Sequence, residues 1–110
     1  MCVAVLFLLA AGCSSLGTGA RLDIVGTEYS FDPATIAQDA HTINFALRNQ
    51  GQEEHDFELI GPRGVVAHIR AIQPGITKGI SVSLQPGSYR FVCTIGNHAQ
   101  IGMTGTLTVR

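Results

Sequence analysis

The sequence predicts an all-β protein, a two-sheet Greek-key β-sandwich of seven to eight strands. Short runs of β-forming residues alternate with Pro- and Gly-containing turns along residues 21–110. No window of the sequence has helical periodicity with capping residues at both ends. Because 110 residues are enough for one modest core, a single domain is expected.

The strands are predicted in order from the β-forming runs and the turns between them. They cover residues 22–30, 42–49, 56–61, 65–71, 79–84, 88–94 and 104–109, with a weaker strand at 35–37. Turn-favouring residues separate them at 32–33, 49–51, 61–62, 73–75 and 85–87. Side chains alternate along a strand, so Tyr89, Phe91 and Cys93 share one face, and Ile43, Phe45 and Leu47 share one face of theirs. Cys93 is therefore expected to point into the core at the end of its strand.

Composition and charge favour a folded domain without a polyanionic partner. Apolar residues make up 45% of the chain and charged residues 14%, which is typical of a packed globular protein. The 7 Lys and Arg balance 8 Asp and Glu to a net charge of -1. The basic residues are scattered along the sequence, so no nucleic-acid-binding surface is predicted.

The first residues have the pattern of an export signal. Residues 3–11 form an apolar run that is too short to span a bilayer as a helix. The motif Leu-Ala-Ala-Gly-Cys at residues 9–13 resembles a bacterial lipobox. We therefore expect a signal peptide at residues 1–12, a lipid on Cys13 and a flexible Ser- and Gly-rich tether at 13–20. The alternatives are an ordinary secretory signal cleaved near Gly12 and a disordered apolar N-terminus.

This division leaves one thiol in the domain expected at residues 21–110. Cys2 would be removed with the signal peptide and Cys13 would be acylated, so Cys93 has no disulfide partner. An extracytoplasmic location, in the periplasm or at the outer face of the cell membrane, would oxidise an unprotected thiol. Metal coordination is one explanation of how Cys93 persists.

The loop that follows Cys93 contains further metal-binding side chains. Four residues separate Cys93 from His98, and four separate His98 from Met103. A second imidazole is expected from His55, which follows the turn at 49–51. A thiolate and two imidazoles with a weak axial thioether form the donor set of blue copper sites, which serves both Cu(I) and Cu(II). The spacing therefore predicts a site for one copper ion.

The same segments resemble the cupredoxin family of blue copper proteins. The pattern Gly-x-Tyr-x-Phe-x-Cys at residues 87–93, His98 and Gly-Met-x-Gly-x-Leu at 102–107 resemble that family's C-terminal copper loop. Residues 28–33 and 49–57 are similar to its first strand and first-histidine loop. The Cys-x4-His-x4-Met spacing is nearest to the rusticyanin-like branch. One departure is Asp56, which stands where some cupredoxins have Asn or Ser.

The resemblance implies a function and a role for each ligand. His55 and His98 would bind copper through ring nitrogens, Cys93 through its thiolate and Met103 through an axial sulfur. The protein would be a monomeric carrier of single electrons in the cell envelope. The edge of His98 would reach the surface and act as the electron port. The apolar patch around it would dock redox protein partners, and it would consist of Ile95, Ala99, Ile101 and Gly102.

Two other functions stay open, and enzymatic activity is not expected. One is a copper carrier or sensor that delivers copper to an oxidase, and the other is a metal-free envelope interaction domain. The sequence contains no His-x-His pair, and the copper loop has a single cysteine. A multicopper-oxidase cluster and a binuclear copper centre therefore both lack ligands. His41 and His68 are expected to be exposed structural residues outside the site.

Overall fold

The computed structural model describes residues 19–110, which form nine β-strands. The strands are β1 (Ala20–Thr27), β2 (Ser30–Asp32), β3 (Thr35–Gln38), β4 (Thr42–Asn49), β5 (His55–Gly61), β6 (Gly64–Ile72), β7 (Thr77–Ser83), β8 (Gly87–Val92) and β9 (Thr104–Val109). Within residues 19–110 there is no helix that could cross a membrane. The predicted signal peptide and Cys13 lie outside the described residues, as does the predicted tether up to residue 18.

The strands form two mixed sheets, which confirms the all-β sandwich. One sheet has the order β2-β1-β4-β7 and the other the order β3-β9-β8-β5-β6. β1 pairs with β4 and β3 pairs with β9 in parallel, and the other pairs are antiparallel. Each sheet also pairs strands that are far apart in the sequence, β1 with β4 and β4 with β7 in one, β3 with β9 and β5 with β8 in the other. Both sheets therefore depend on non-local contacts.

The structure contains one strand more than the largest number predicted. The run at 22–30 was predicted as one strand, but β1 ends at Thr27 and the chain turns back through Glu28 and Tyr29. Ser30 then pairs with Thr27 to begin β2. The weaker prediction at 35–37 corresponds to β3, which pairs with the C-terminal strand.

The core lies between the sheets and is built from alternating side chains. Ile43, Phe45 and Leu47 of β4 are buried, as their alternation predicts. Phe57 of β5 packs against Phe45 of the opposite sheet, with ring centroids 5.2 Å apart. It also stacks on Phe91 of β8 at 5.3 Å. These rings form a rigid apolar wall beneath the loops at one end of the sandwich.

Strand pairing brings two sequence-distant segments to that end of the sandwich. β5 and β8 are antiparallel, so the beginning of β5 lies beside the end of β8. His55 is the first residue of β5, and Cys93 directly follows β8. Cys93 N–H donates to the carbonyl of Met103 at 3.1 Å, which closes the base of the loop at 94–102. This sheet pairing brings residue 55 close to residues 93 and 98.

Candidate metal centre

The structure brings His55, Cys93 and His98 together as a buried donor cluster. Their ligand atoms all lie within 4.8 Å of one another. The two Nδ1 atoms are 3.2 Å apart. The Cys93 Sγ lies 3.9 Å from His55 Nδ1 and 3.6 Å from His98 Nδ1. Three of the four predicted ligands thus converge, although the first histidine is 38 residues from the cysteine.

These separations fit donors that share one metal ion. Metal–nitrogen bonds of about 2.0 Å and metal–thiolate bonds of about 2.3 Å, at trigonal angles, place donors about 3.5 to 3.7 Å apart. The observed separations of 3.2, 3.6 and 3.9 Å agree with this range to within about 0.3 Å. Two imidazoles and a thiolate in trigonal array are the donors of type 1 copper. The donor cluster, with Met103 beside it, can therefore bind one copper ion.

Met103 is held beside the donor cluster by its backbone. Its N–H donates to the carbonyl of His98 at 3.0 Å, and its carbonyl accepts from Cys93 N–H at 3.1 Å. The side chain is fully buried. A Cβ on Gly26 would lie 3.2 Å from the Met103 methyl carbon. The missing side chain at Gly26 thus leaves room for the thioether, a contribution that sequence reasoning did not identify.

The Cys93 thiol lies in a buried environment that includes hydrogen-bond donors. Burial raises the pKa of Cys93, while hydrogen bonds from the backbone N–H groups of Asp56 and Ile95 act in the opposite direction. A thiol must lose its proton to bind a metal. Because N–H donors stabilise sulfur as a thiolate, these two groups favour the metal-binding form.

Asp56 connects the two segments that provide the donors. It is 3% exposed and accepts hydrogen bonds from Thr94 N–H at 2.6 Å, from the Thr94 hydroxyl, and from His68 Nε2 at 2.7 Å. Burial alone would raise the pKa of Asp56, but these hydrogen bonds hold it below its usual value. The β5–β6 pairing shifts its register between His55 and Phe57, and the three consecutive side chains at 55–57 are all buried.

The expectation for His68 was wrong, and that for His41 is confirmed. The side chain of His68 is only 19% exposed, because it lies against Asp56 across the β5–β6 pair. It supports the site from outside the donor cluster. His41 is exposed, and its Nε2 lies 3.0 Å from the carbonyl oxygen of Arg110.

Substitution of Asp56 by Ala is expected to lower the free energy of unfolding of the metal-free protein by about 3 kcal/mol. The change leaves both donors of Thr94 and the ring of His68 without their acceptor. Urea denaturation measures the effect, with Glu58→Ala as the matched control. The carboxylate of Glu58 lies 3.7 Å from His68 and is partly exposed, so its loss should cost about 0–1 kcal/mol. Equal costs for the two variants would contradict this role of Asp56.

Two carboxylates contact the outer nitrogens of the two histidines. Glu28 Oε2 lies 2.8 Å from His55 Nε2, and Glu53 Oε1 lies 3.0 Å from His98 Nε2. The Tyr29 hydroxyl donates to Glu53 Oε2 at 2.7 Å. The Tyr29 ring packs on the ring of His98 with centroids 4.7 Å apart.

This arrangement differs from the bare imidazole edge that the family resemblance implied. The His98 side chain is only 8% exposed, and Glu53 contacts its outer nitrogen. Ile101 nearby is 51% exposed, whereas Ile95 and Ala99 are partly buried. The apolar part of this surface is therefore smaller than predicted.

Comparison with known proteins identifies the family and the fold of the chain. The family model for the cupredoxin-like domain matches residues 1–109. The copper-resistant cuproprotein CopI of Rubrivivax gelatinosus is 32% identical over 98 residues, covering 73% of this chain and 59% of the relative. The chain thus spans about three fifths of that curated relative.

Solved structures show the same fold at low identity. Auracyanin of Roseiflexus castenholzii superimposes with a TM-score of 0.75 at 20% identity, covering 86% of this chain and 99% of that one. Rusticyanin of Thiobacillus ferrooxidans gives a TM-score of 0.67 at 18% identity, covering 82% and 77%. With the family model matching nearly the whole sequence, the chain belongs to the cupredoxin-like domain family.

Proposed function

We propose that this protein is a type 1 blue copper protein that carries single electrons between redox partners. The observation that carries the proposal is the donor cluster, in which three buried ligand atoms lie 3.2 to 3.9 Å apart. Met103 would complete the donor set with its thioether sulfur. Bound copper would supply a one-electron couple between Cu(I) and Cu(II).

The surroundings of the site favour electron transfer, because little has to move when the charge on the ion changes. His55 is fixed in a strand, and Cys93 and Met103 are tied together through the backbone. The donors are buried and packed beside the aromatic core. Four protein donors leave no open position for a substrate, which supports a carrier and not an enzyme.

The visible absorption spectrum of the copper-loaded full chain tests the proposal. We expect one copper per chain, an intense blue colour that disappears on reduction, and its full return on reoxidation. Voltammetry should show one reversible one-electron wave. A chain that stays colourless with Cu(II), or that loses copper on each reduction, would refute the proposal.

A second candidate function is copper delivery, which the name of one relative favours. CopI is described as a copper-resistant cuproprotein, and this description supports copper handling as a candidate role for the present chain. Competition with a Cu(I) chelator separates the two functions. Retention of copper over many redox cycles supports electron transfer, and transfer of the ion to the chelator within minutes supports delivery.

We also propose that the protein acts outside the cytoplasm, anchored by a lipid on Cys13, and docks its redox partners at the surface around His98. The lipobox-like sequence at 9–13 supports the anchor. The exposed side chain of Ile101 beside the donor cluster supports the docking surface. The full chain expressed in bacteria should fractionate with membranes, and Cys13→Ser should fractionate as a soluble protein. Identical fractionation of the two would refute the anchor.

A further inference from the structure

We propose that Glu28 and Glu53, the carboxylate pair, are positioning residues that hold the two imidazole ligands and favour Cu(II) over Cu(I). The inference rests on the proposed copper site. Each carboxylate contacts the outer nitrogen of one histidine of the donor cluster, at 2.8 Å for Glu28 and 3.0 Å for Glu53. The pair thus acts on copper through the rings, without touching the ion.

Hydrogen-bond chemistry fixes which ring nitrogen faces the metal. A carboxylate can only accept, so the Nε2 of each histidine must carry the proton that is shared with its glutamate. In a neutral ring the Nδ1 lone pair is then free, and both Nδ1 atoms face the Cys93 sulfur. The carboxylate pair therefore selects the tautomer that binds the ion and sets the orientation of each ring.

Backbone hydrogen bonds and the space above Gly51 fix the position of the Glu28 carboxylate. The carboxylate accepts hydrogen bonds from the N–H of Gln52 at 2.8 and 3.0 Å and from that of Glu53 at 3.0 Å. A Cβ on Gly51 would clash with the Glu28 carboxylate, so the absence of a side chain at Gly51 leaves room for it. The N–H donors of Gln52 and Glu53 stabilise the carboxylate and fix its position against His55.

Hydrogen bonds hold both the side chain and the backbone of Glu53. The Tyr29 hydroxyl donates to its side chain at 2.7 Å, and this hydrogen bond raises the pKa of Tyr29, so the phenol stays a donor. The buried Asn49 amide donates to the Glu53 carbonyl at 2.7 Å and to that of Ile72 at 2.8 Å. Glu53 thus contacts His98 from a fixed loop, although its own side chain is half exposed.

The electrostatic effect follows from the change in copper charge. Oxidation removes one electron from Cu(I) and leaves one more positive charge between the two rings. Carboxylates hydrogen-bonded to the rings make them more basic and place two negative charges near the ion. No Lys or Arg occurs in the nearby segments 26–34, 49–54 and 93–103. The pair should therefore stabilise Cu(II) more than Cu(I) and lower the midpoint potential.

The test compares Glu28→Gln and Glu53→Gln with Glu54→Gln. Glu54 is the neighbouring acid, and its carboxylate accepts from Gln73 Nε2 at 3.0 Å instead of contacting a histidine. All three variants lose one negative charge. Cu(II) and Cu(I) affinities of the full chain are measured by chelator competition, and midpoint potentials by voltammetry.

We expect Cu(II) affinity to fall about 10-fold or more in Glu28→Gln and Glu53→Gln, with a smaller change for Cu(I). Each tenfold loss in the Cu(II)-to-Cu(I) affinity ratio raises the potential by about 59 mV. Glu54→Gln should change the ratio by less than about threefold, since its carboxylate touches neither ring. If the three variants change the ratio equally, the carboxylate pair has no specific role and the inference is overturned.

Gly51→Ala gives an independent variant that keeps the charge of Glu28. The added methyl group would displace the carboxylate from His55, so the affinity ratio should shift in the same direction as in Glu28→Gln. Thermal denaturation of the metal-free chain shows that each variant is folded. An unchanged ratio in folded Gly51→Ala would contradict the role of Glu28.

Failure of this inference can be distinguished from failure of the proposed function. A wild-type chain that cycles reversibly, with both glutamine variants matching Glu54→Gln, would refute the carboxylate pair and leave electron transfer standing. A wild-type chain that binds Cu(I) and Cu(II) but gives no reversible voltammetric wave would refute electron transfer. The ratios of Cu(II) to Cu(I) affinity would still decide the role of the carboxylate pair. A chain that binds no copper would overturn both.

Discussion

Substitution of Cys93 by Ser is expected to abolish the intense visible absorption of the copper-loaded protein and to weaken Cu(I) binding more than about 100-fold. The soft thiolate is the donor that Cu(I) prefers and the one whose bond to Cu(II) produces the blue colour. A serine hydroxyl does not ionise near neutral pH and is a hard donor. Chelator competition and the absorption spectrum measure the two effects.

Met103→Leu is the matched control for Cys93→Ser, because it also removes a buried sulfur donor beside the ion. Leucine has a similar volume, and the axial thioether bond is long and weak in such sites. The Met103→Leu protein should therefore stay blue and should bind copper more tightly than the Cys93→Ser protein. A Cys93→Ser protein that keeps the colour would refute the copper assignment.

The sequence predicted the donors because most of them lie close together in the chain. Cys93, His98 and Met103 share one loop, so their spacing alone indicated a metal site. His55 was located by its turn and by the family resemblance. Only the pairing of β5 with β8 shows that His55 lies close to the donors of the loop after β8. The sequence thus indicated which side chains are donors, while the pairing of distant strands determines where in the fold these side chains come together.

The residues that surround the donors could not be predicted in the same way. Glu28 follows the end of β1, and Glu53 lies in the loop before β5, in segments about 25 residues apart. A lone glutamate in a turn normally indicates only a solvated side chain. The roles of the two glutamates depend on how two loops pack over the rings of His55 and His98. No local sequence pattern predicts that packing.

The strand predictions succeeded where alternation is regular and failed where the chain departs from it. Ile43, Phe45 and Leu47 alternate cleanly and are buried as predicted. In β5, His55, Asp56 and Phe57 are buried consecutively beside a register shift. A period of two cannot describe such a segment. The burial of Asp56, and with it the position of His68, was therefore not predictable from alternation.

Copper binding is expected to stabilise the fold strongly. Its donors come from β5 and from the loop after β8, so the donor cluster exists only in the folded protein. An ion that binds the folded state alone, at free concentrations about 1,000 times its dissociation constant, adds about 4.1 kcal/mol to the free energy of unfolding. For a domain of this size that corresponds to a rise in Tm of roughly 15–30 °C.

Differential scanning calorimetry with and without Cu(I), under reducing conditions without oxygen, measures this shift. The Cys93→Ser protein is the control, because serine replaces the thiolate while His55 and His98 remain. A 100-fold loss of affinity reduces the stabilisation at the same copper concentration to about 1.4 kcal/mol. The Tm of this variant should therefore rise by less than about 11 °C. Equal shifts in the two proteins would mean that copper binds elsewhere on the chain. A large shift in the wild type alone would show that the thiolate couples copper binding to folding.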